Sequence, residues 1–154
     1  MTDTYYIDCE FDGHNGPLIS MALVREDVRH LYVMTPHDPA DPWVIQNVMP
    51  VLNADRATRR AFLPPHMVSR CVREFIGAPD RVRFVADSVV DIGRLCQALS
   101  TDDEGNWRSC ELPRIDFTVV NIDCYPTTLP NAVQHNAWWD AMALREAVQN
   151  SKAL

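Results

Sequence analysis

The sequence predicts an α/β fold, a mixed β-sheet with helices packed on it. Three observations carry that expectation. Three β-forming segments follow one another near the N-terminus with only turns between them, and helices and strands then alternate to the end. The third is size: 154 residues at 47% hydrophobic suffice for one buried core, so 1–154 is expected to be a single domain.

Tyr5 to Phe11 is the first expected strand, rich in aromatic and β-branched residues, and Asp12-Gly13-His14-Asn15-Gly16 closes it with a turn. Leu18 to Val24 and Arg29 to Met34 complete an antiparallel meander. Pro36 to Pro42 contains three prolines and reads as loop, with Asp41 capping a helix from Pro42 to about Leu52. A second helix is expected from Pro65 to Ile76, stopped by Gly77, with Met67, Cys71, Val72, Phe75 and Ile76 on one side. Val82 to Ala86 is the fourth strand, Val89 to Leu99 a helix with Asp87 as its N-cap, and Ile115 to Ile122 the fifth strand beyond the polar connection Ser100 to Ser109. A loop bearing Pro126 and Pro130 leads to His135-Asn136, and Ala137 to about Asn150 is a helix of strong formers.

A net charge of -7 argues against a broad basic surface for nucleic-acid phosphates. It leaves open a pocket in which divalent cations neutralise clustered carboxylates before an anionic substrate arrives. No apolar run is long enough to span a membrane and the N-terminus lacks the order of a signal peptide, so a cytoplasmic location without membrane partners is expected. Cys9, Cys71, Cys96, Cys110 and Cys124 are odd in number and scattered, which predicts free thiols rather than a disulfide framework or a zinc site.

The chemistry is carried by carboxylates in apolar elements. Side chains alternate along a strand, so Asp8 and Glu10 share one face of a strand that should lie centrally in the sheet. Buried like charges must be protonated or paired with a metal. Asp91 lies near the apolar face of the third helix, flanked by Val90, Ile92 and Leu95. His135 and Asp140 are five apart, about 140° on a continuous helix, so they meet only if His135 is in the approach loop and Asp140 in the first turns. Four carboxylates suit Mg2+ or Mn2+, and a pair of such ions suits phosphoryl transfer, with a histidine to take a proton from water.

In order and context, Asp8-Cys9-Glu10, Val90-Asp91-Ile92-Gly93-Arg94-Leu95 and His135-Asn136-Ala137-x-x-Asp140-Ala141 resemble the three motifs of the DEDDh branch of the DEDD exonuclease superfamily. The resemblance spans nearly the whole chain. It is nearest to the RNase AS and RNase T-like exoribonucleases, through Tyr6-Ile7-Asp8-Cys9-Glu10-Phe11, Leu18-Ile19-Ser20 and the Trp43 region. It implies a ribonuclease-H-like fold, a homodimer, and a 3'-to-5' exoribonuclease that releases nucleoside 5'-monophosphates from single-stranded RNA 3' ends. Asp8, Glu10, Asp91 and Asp140 would hold two Mg2+ or Mn2+ ions, with His135 as general base. Phe11 and Leu18 are candidates to stack on or wedge the terminal base, with core packing as the alternative. Asp87 stands where many relatives carry Asn, Pro17 where an acid is frequent, and Trp138-Trp139 where residues are smaller. The rival readings are a single-stranded DNA exonuclease with the same metal site, or a non-catalytic RNA- or nucleotide-binding module of the same fold.

Overall fold

β1, Asp3–Phe11, is the axis of the molecule, because both of its faces are apolar enough to be covered. It pairs antiparallel with β2, Leu18–Arg25, which pairs antiparallel with β3, His30–Met34. After α1 (Pro42–Asn47) and a 3-10 turn (Met49–Val51), β4 (Arg60–Phe62) adds in parallel to β3. Helix α2 (Pro65–Ile76) then leads to β5 (Arg81–Ala86), parallel to β1 on its other side. Helix α3 (Val89–Leu99) crosses to β6 (Arg114–Val119), parallel to β5, and α4 (Ala137–Ser151) closes the fold. The sheet order is β4-β3-β2-β1-β5-β6. This computed structural model describes residues 2–14, 16–102, 104, 106–107 and 112–151; Asn15 in the expected turn, Ser109 and Cys110 lie outside them.

Strand alternation splits the core into two layers. Tyr5, Ile7, Met21, Leu23, Leu31 and Val33 meet Val68 and Val72 of α2 and Leu95 and Leu99 of α3 on one face. On the other, Ala22, Val24, Tyr32 and Met34 meet Val44 of α1 and Ala137, Trp138, Trp139 and Ala141 of α4. Trp138 and Trp139 are therefore core residues, the Trp139 Nε1 donating to the Ala54 carbonyl at 3.0 Å. The side of α2 turned to the core is centred on Val68, Ser69, Val72 and Ile76, with Cys71 and Phe75 at its margin.

Several element boundaries differ from expectation, each for a local reason. The first helix ends at Asn47 and tightens into the 3-10 turn because Pro50 has no N–H to continue it. β6 stops at Val119 rather than Ile122, since its partner β5 ends at Ala86. The sheet has a sixth strand, β4, of three largely exposed residues. Gly77 does end α2, at φ 72°, and Asp41 caps α1 by accepting from the N–H of Trp43 at 2.8 Å. Cys9, Cys71, Cys96 and Cys124 are free thiols. Among the described residues no helix is long and apolar enough to cross a membrane.

Candidate metal centre

β1 and β5 are paired only from Asp3↔Val82 to Tyr6↔Val85, so the carboxyl end of β1 runs on without a neighbour on that side. A crevice at such a point is where open α/β sheets place their ligands. Asp8 and Glu10 lie in this unpaired stretch, opposite Ala22 and Ser20 of β2 and on the face that α4 covers. Asp91 comes from the opposite helical layer, reaching in from the first turn of α3, where its carboxylate accepts from the backbone N–H of Cys9.

Asp140 arrives from the first turn of α4, with both oxygens positioned. Its Oδ1 accepts from the Tyr125 hydroxyl at 2.6 Å and its Oδ2 from the His135 N–H at 2.9 Å. His135 stands in the approach loop in the left-handed region, φ 65°, which bends the chain back over the helix start. The next residue fixes that bend. Asn136 is fully buried; its Oδ1 accepts from the Trp139 N–H at 3.3 Å and its Nδ2 donates to the Val51 carbonyl at 2.8 Å. The imidazole of His135 lies edge-on to Trp43, ring centroids 4.9 Å apart, so α1 supplies one wall of the site.

Two clusters result. Ligand atoms of Glu10, His135 and Asp140 lie within 4.8 Å of one another, and so do those of Asp8, Asp87 and Asp91. The five predicted residues thus converge, in two adjoining groups. Asp87 is a correction: Ser88 caps α3, its Oγ accepting from the Val90 N–H at 3.1 Å, and the Asp87 carboxylate is left to face Asp8 and Asp91. Tyr125, Trp43 and Asp87 all went unrecognised as site residues in the sequence. Only the place of Asp87 at the strand-to-helix junction, four residues before Asp91, was a usable signal.

Phe11 and Leu18 are opposite each other across a β-bulge and partly buried against the α2–α3 layer. The Arg94 guanidinium sits 5.1 Å above the Phe11 ring. They flank the cluster without entering it.

The electrostatics fit a cation. Burial raises the carboxyl pKa of Glu10 to about 8, and the charges of Asp140 and Asp91 add to the rise. Asp91 is pushed to about 7 by burial and by Asp87, against the Cys9 N–H, and Asp140 to about 6 by burial, against Tyr125 and the His135 N–H. Asp8 is raised well above the usual carboxylate range, by burial first and then by Asp140, Asp91 and Glu10. Among the described residues none of these acids, nor Asp87, has an ion pair with a basic side chain. An all-oxygen set beside one imidazole suits hard divalent cations such as Mg2+ and Mn2+. No protein-family model matches the chain, and no curated protein matches it either.

Proposed function

We propose that the chain is a metal-dependent 3'-to-5' exoribonuclease of the DEDDh superfamily, hydrolysing single-stranded RNA 3' ends to nucleoside 5'-monophosphates and acting as a homodimer. One observation carries the reading: three stretches far apart in sequence bring Asp8, Glu10, Asp87, Asp91, His135 and Asp140 into two adjoining clusters, with no Lys or Arg ion-paired to these acids among the described residues. An antiparallel β1-β2-β3 followed by parallel β5 and β6 is in keeping with a ribonuclease-H-like fold. Motif resemblance supplies the direction of attack, the RNA substrate and the dimer.

Asp8, Glu10, Asp91 and Asp140 would hold two Mg2+ or Mn2+ ions, which when bound lower the pKa of an attacking water and neutralise charge on the leaving oxygen. The protein's own part is positioning and proton transfer. His135 accepts the proton of the attacking water, its ring held by Trp43 and its backbone by Asn136. Tyr125 and the His135 N–H each take one lone pair of Asp140, fixing its plane.

With Mn2+, the purified protein is expected to shorten 5'-labelled RNA progressively from its 3' end. RNA that is bound yet left intact under both Mg2+ and Mn2+ would sink the catalytic reading in favour of a binding module. Poly(A), mixed RNA and single-stranded DNA run side by side decide the substrate, faster loss of DNA moving the assignment to a DNA exonuclease.

A further inference from the structure

A groove borders α3 and passes between it and α2. It consists of a cavity of about 320 Å3 between His14, Val90, Gly93, Arg94 and Gln97, and one of about 450 Å3 bordered by Leu18, His66 and Ser69 that shares Arg94 and Gln97 with the first. The two cavities adjoin at Arg94 and Gln97. One lining residue of each neighbours a residue of the metal centre along the chain or the sheet: Val90 precedes Asp91, and Leu18 is the cross-strand partner of Phe11, which follows Glu10.

Among the described residues no carboxylate lines either cavity, in a chain with 21 Asp and Glu against 14 Lys and Arg. What does line them is one guanidinium, two imidazoles, the neutral polar Gln97, Ser69 and Thr101, and an apolar remainder that includes Leu18, Val68, Val90 and Ala98.

Arg94 is held for use at the junction. One Nη2 donates to the Gly16 carbonyl at 2.5 Å, and the guanidinium plane rests over Phe11 at 5.1 Å. No acid pairs with it among the described residues. A guanidinium carries five N–H donors, so most remain for a ligand, and an Arg pre-positioned by a carbonyl and a ring loses little side-chain entropy on binding an anion.

Resting on the exonuclease reading above, we propose that this groove carries the single-stranded nucleic acid upstream of the residue being removed, with Arg94 holding a backbone phosphate. Here a strand meets the Arg94 charge and carboxylate-free walls, part polar and part apolar, that can face its backbone and its bases.

The test is equilibrium binding by calorimetry in Ca2+, comparing a dinucleotide, confined to the metal centre, with a decanucleotide that must occupy the groove. Arg94→Ala should weaken the decanucleotide about fivefold at about 0.1 M salt and lower the slope of log affinity against log salt by about 0.7, the value for one phosphate contact on a single strand. The dinucleotide should change less than about twofold, well under one contact's worth. Gln97 is exposed, so its variants do not threaten folding: Gln97→Lys should tighten the decanucleotide and Gln97→Glu weaken it, again with little effect on the dinucleotide. Equal effects on both lengths, or none at Gln97, overturn the groove while leaving the nuclease reading intact. Length-dependent, Arg94-dependent binding by a protein that cleaves nothing keeps the groove and overturns the nuclease.

Discussion

Two sets of carboxylates in this chain live in opposite conditions. Asp12, Asp116 and Glu146 are held below the ordinary carboxylate range, and each has its own donors. Asp12 accepts from the N–H groups of Ala40 and Asp41 and from His37, Asp116 from the Arg81 Nε at 2.7 Å, and Glu146 from Thr127 and Thr128. Asp8, Glu10, Asp87, Asp91 and Asp140 are pushed the other way, by burial before anything else. The difference lies in what the fold supplies. Around the first set it provides donors; around the second it provides mainly more acid, so compensation must come from protons or from cations.

Removing one charge from each set should break the comparison most sharply. Asp8→Asn is expected to abolish hydrolysis, a loss of a thousandfold or more, equivalent to about 4 kcal/mol. Yet the metal-free protein should be as stable as the parent or more so, since a buried, repelled charge has gone. Asp12→Asn should do the reverse, lowering Tm while the metal centre keeps its ligands. A marked fall in the Tm of metal-free Asp8→Asn would show that Asp8 has a cationic partner within the fold.

Next in size is His135. Because its φ is 65°, Ala there would add backbone strain, whereas Asn tolerates that region. His135→Asn should lose about a hundred- to ten-thousandfold in kcat, the range of a general base, with Tm nearly unchanged. Retention of kcat within tenfold would remove His135 from the proton-transfer step.

The pH axis separates the two sets without mutation. Between the ordinary carboxylate range and the folded values of about 6, 7 and 8 for Asp140, Asp91 and Glu10, the folded chain binds protons that the unfolded chain does not. The metal-free protein should therefore lose stability as pH rises from about 4 to about 8, by up to about 1.4 kcal/mol per pH unit for each such proton. Saturating Mg2+ should flatten that decline, because only the deprotonated folded cluster binds it. Asp12, Asp116 and Glu146 act oppositely: their contribution is present above the unfolded carboxylate pKa and fades as pH falls through their lowered folded values. Tm measured across pH in EDTA and in Mg2+ reads both. An EDTA curve that rises between pH 5 and 8 would show the cluster already compensated within the chain.

How much of this was legible in the sequence follows from the range of each signal. Asp8 and Glu10 sharing a face, the central place of β1 and the loop position of His135 all follow from local periodicity, and the structure agrees. Pro50 was visible, but its effect on α1 had to be weighed against the apolar periodicity around it. β4 left no pattern, because only Ala61 of its three residues packs against the core and the strand is held to the sheet by backbone pairing. Tyr125 and Trp43 reach the site only through contacts with residues 15 and 92 positions away in sequence, which no spacing rule encodes. Asp87 was hidden by an offset of one: with Ser88 capping α3, the preceding acid is spared for the crevice.

Asp87 also gives the smallest and most discriminating effect. It is the most exposed of the five site acids, and its charge is among the causes that raise Asp8, Asp91 and Asp140. Asp87→Asn should therefore relieve its neighbours while removing one peripheral oxygen charge, two changes that oppose each other in metal affinity. The net expectation is a loss of less than about tenfold in Mg2+ affinity, below the usual cost of a supporting group, with the pH-dependent decline of the metal-free protein shifted to lower pH. A loss as large as that of Asp8→Asn would make Asp87 a full ligand in place of a modulator. An unchanged pH profile would instead mean that water screens Asp87 from Asp91, which would move it out of the site set altogether.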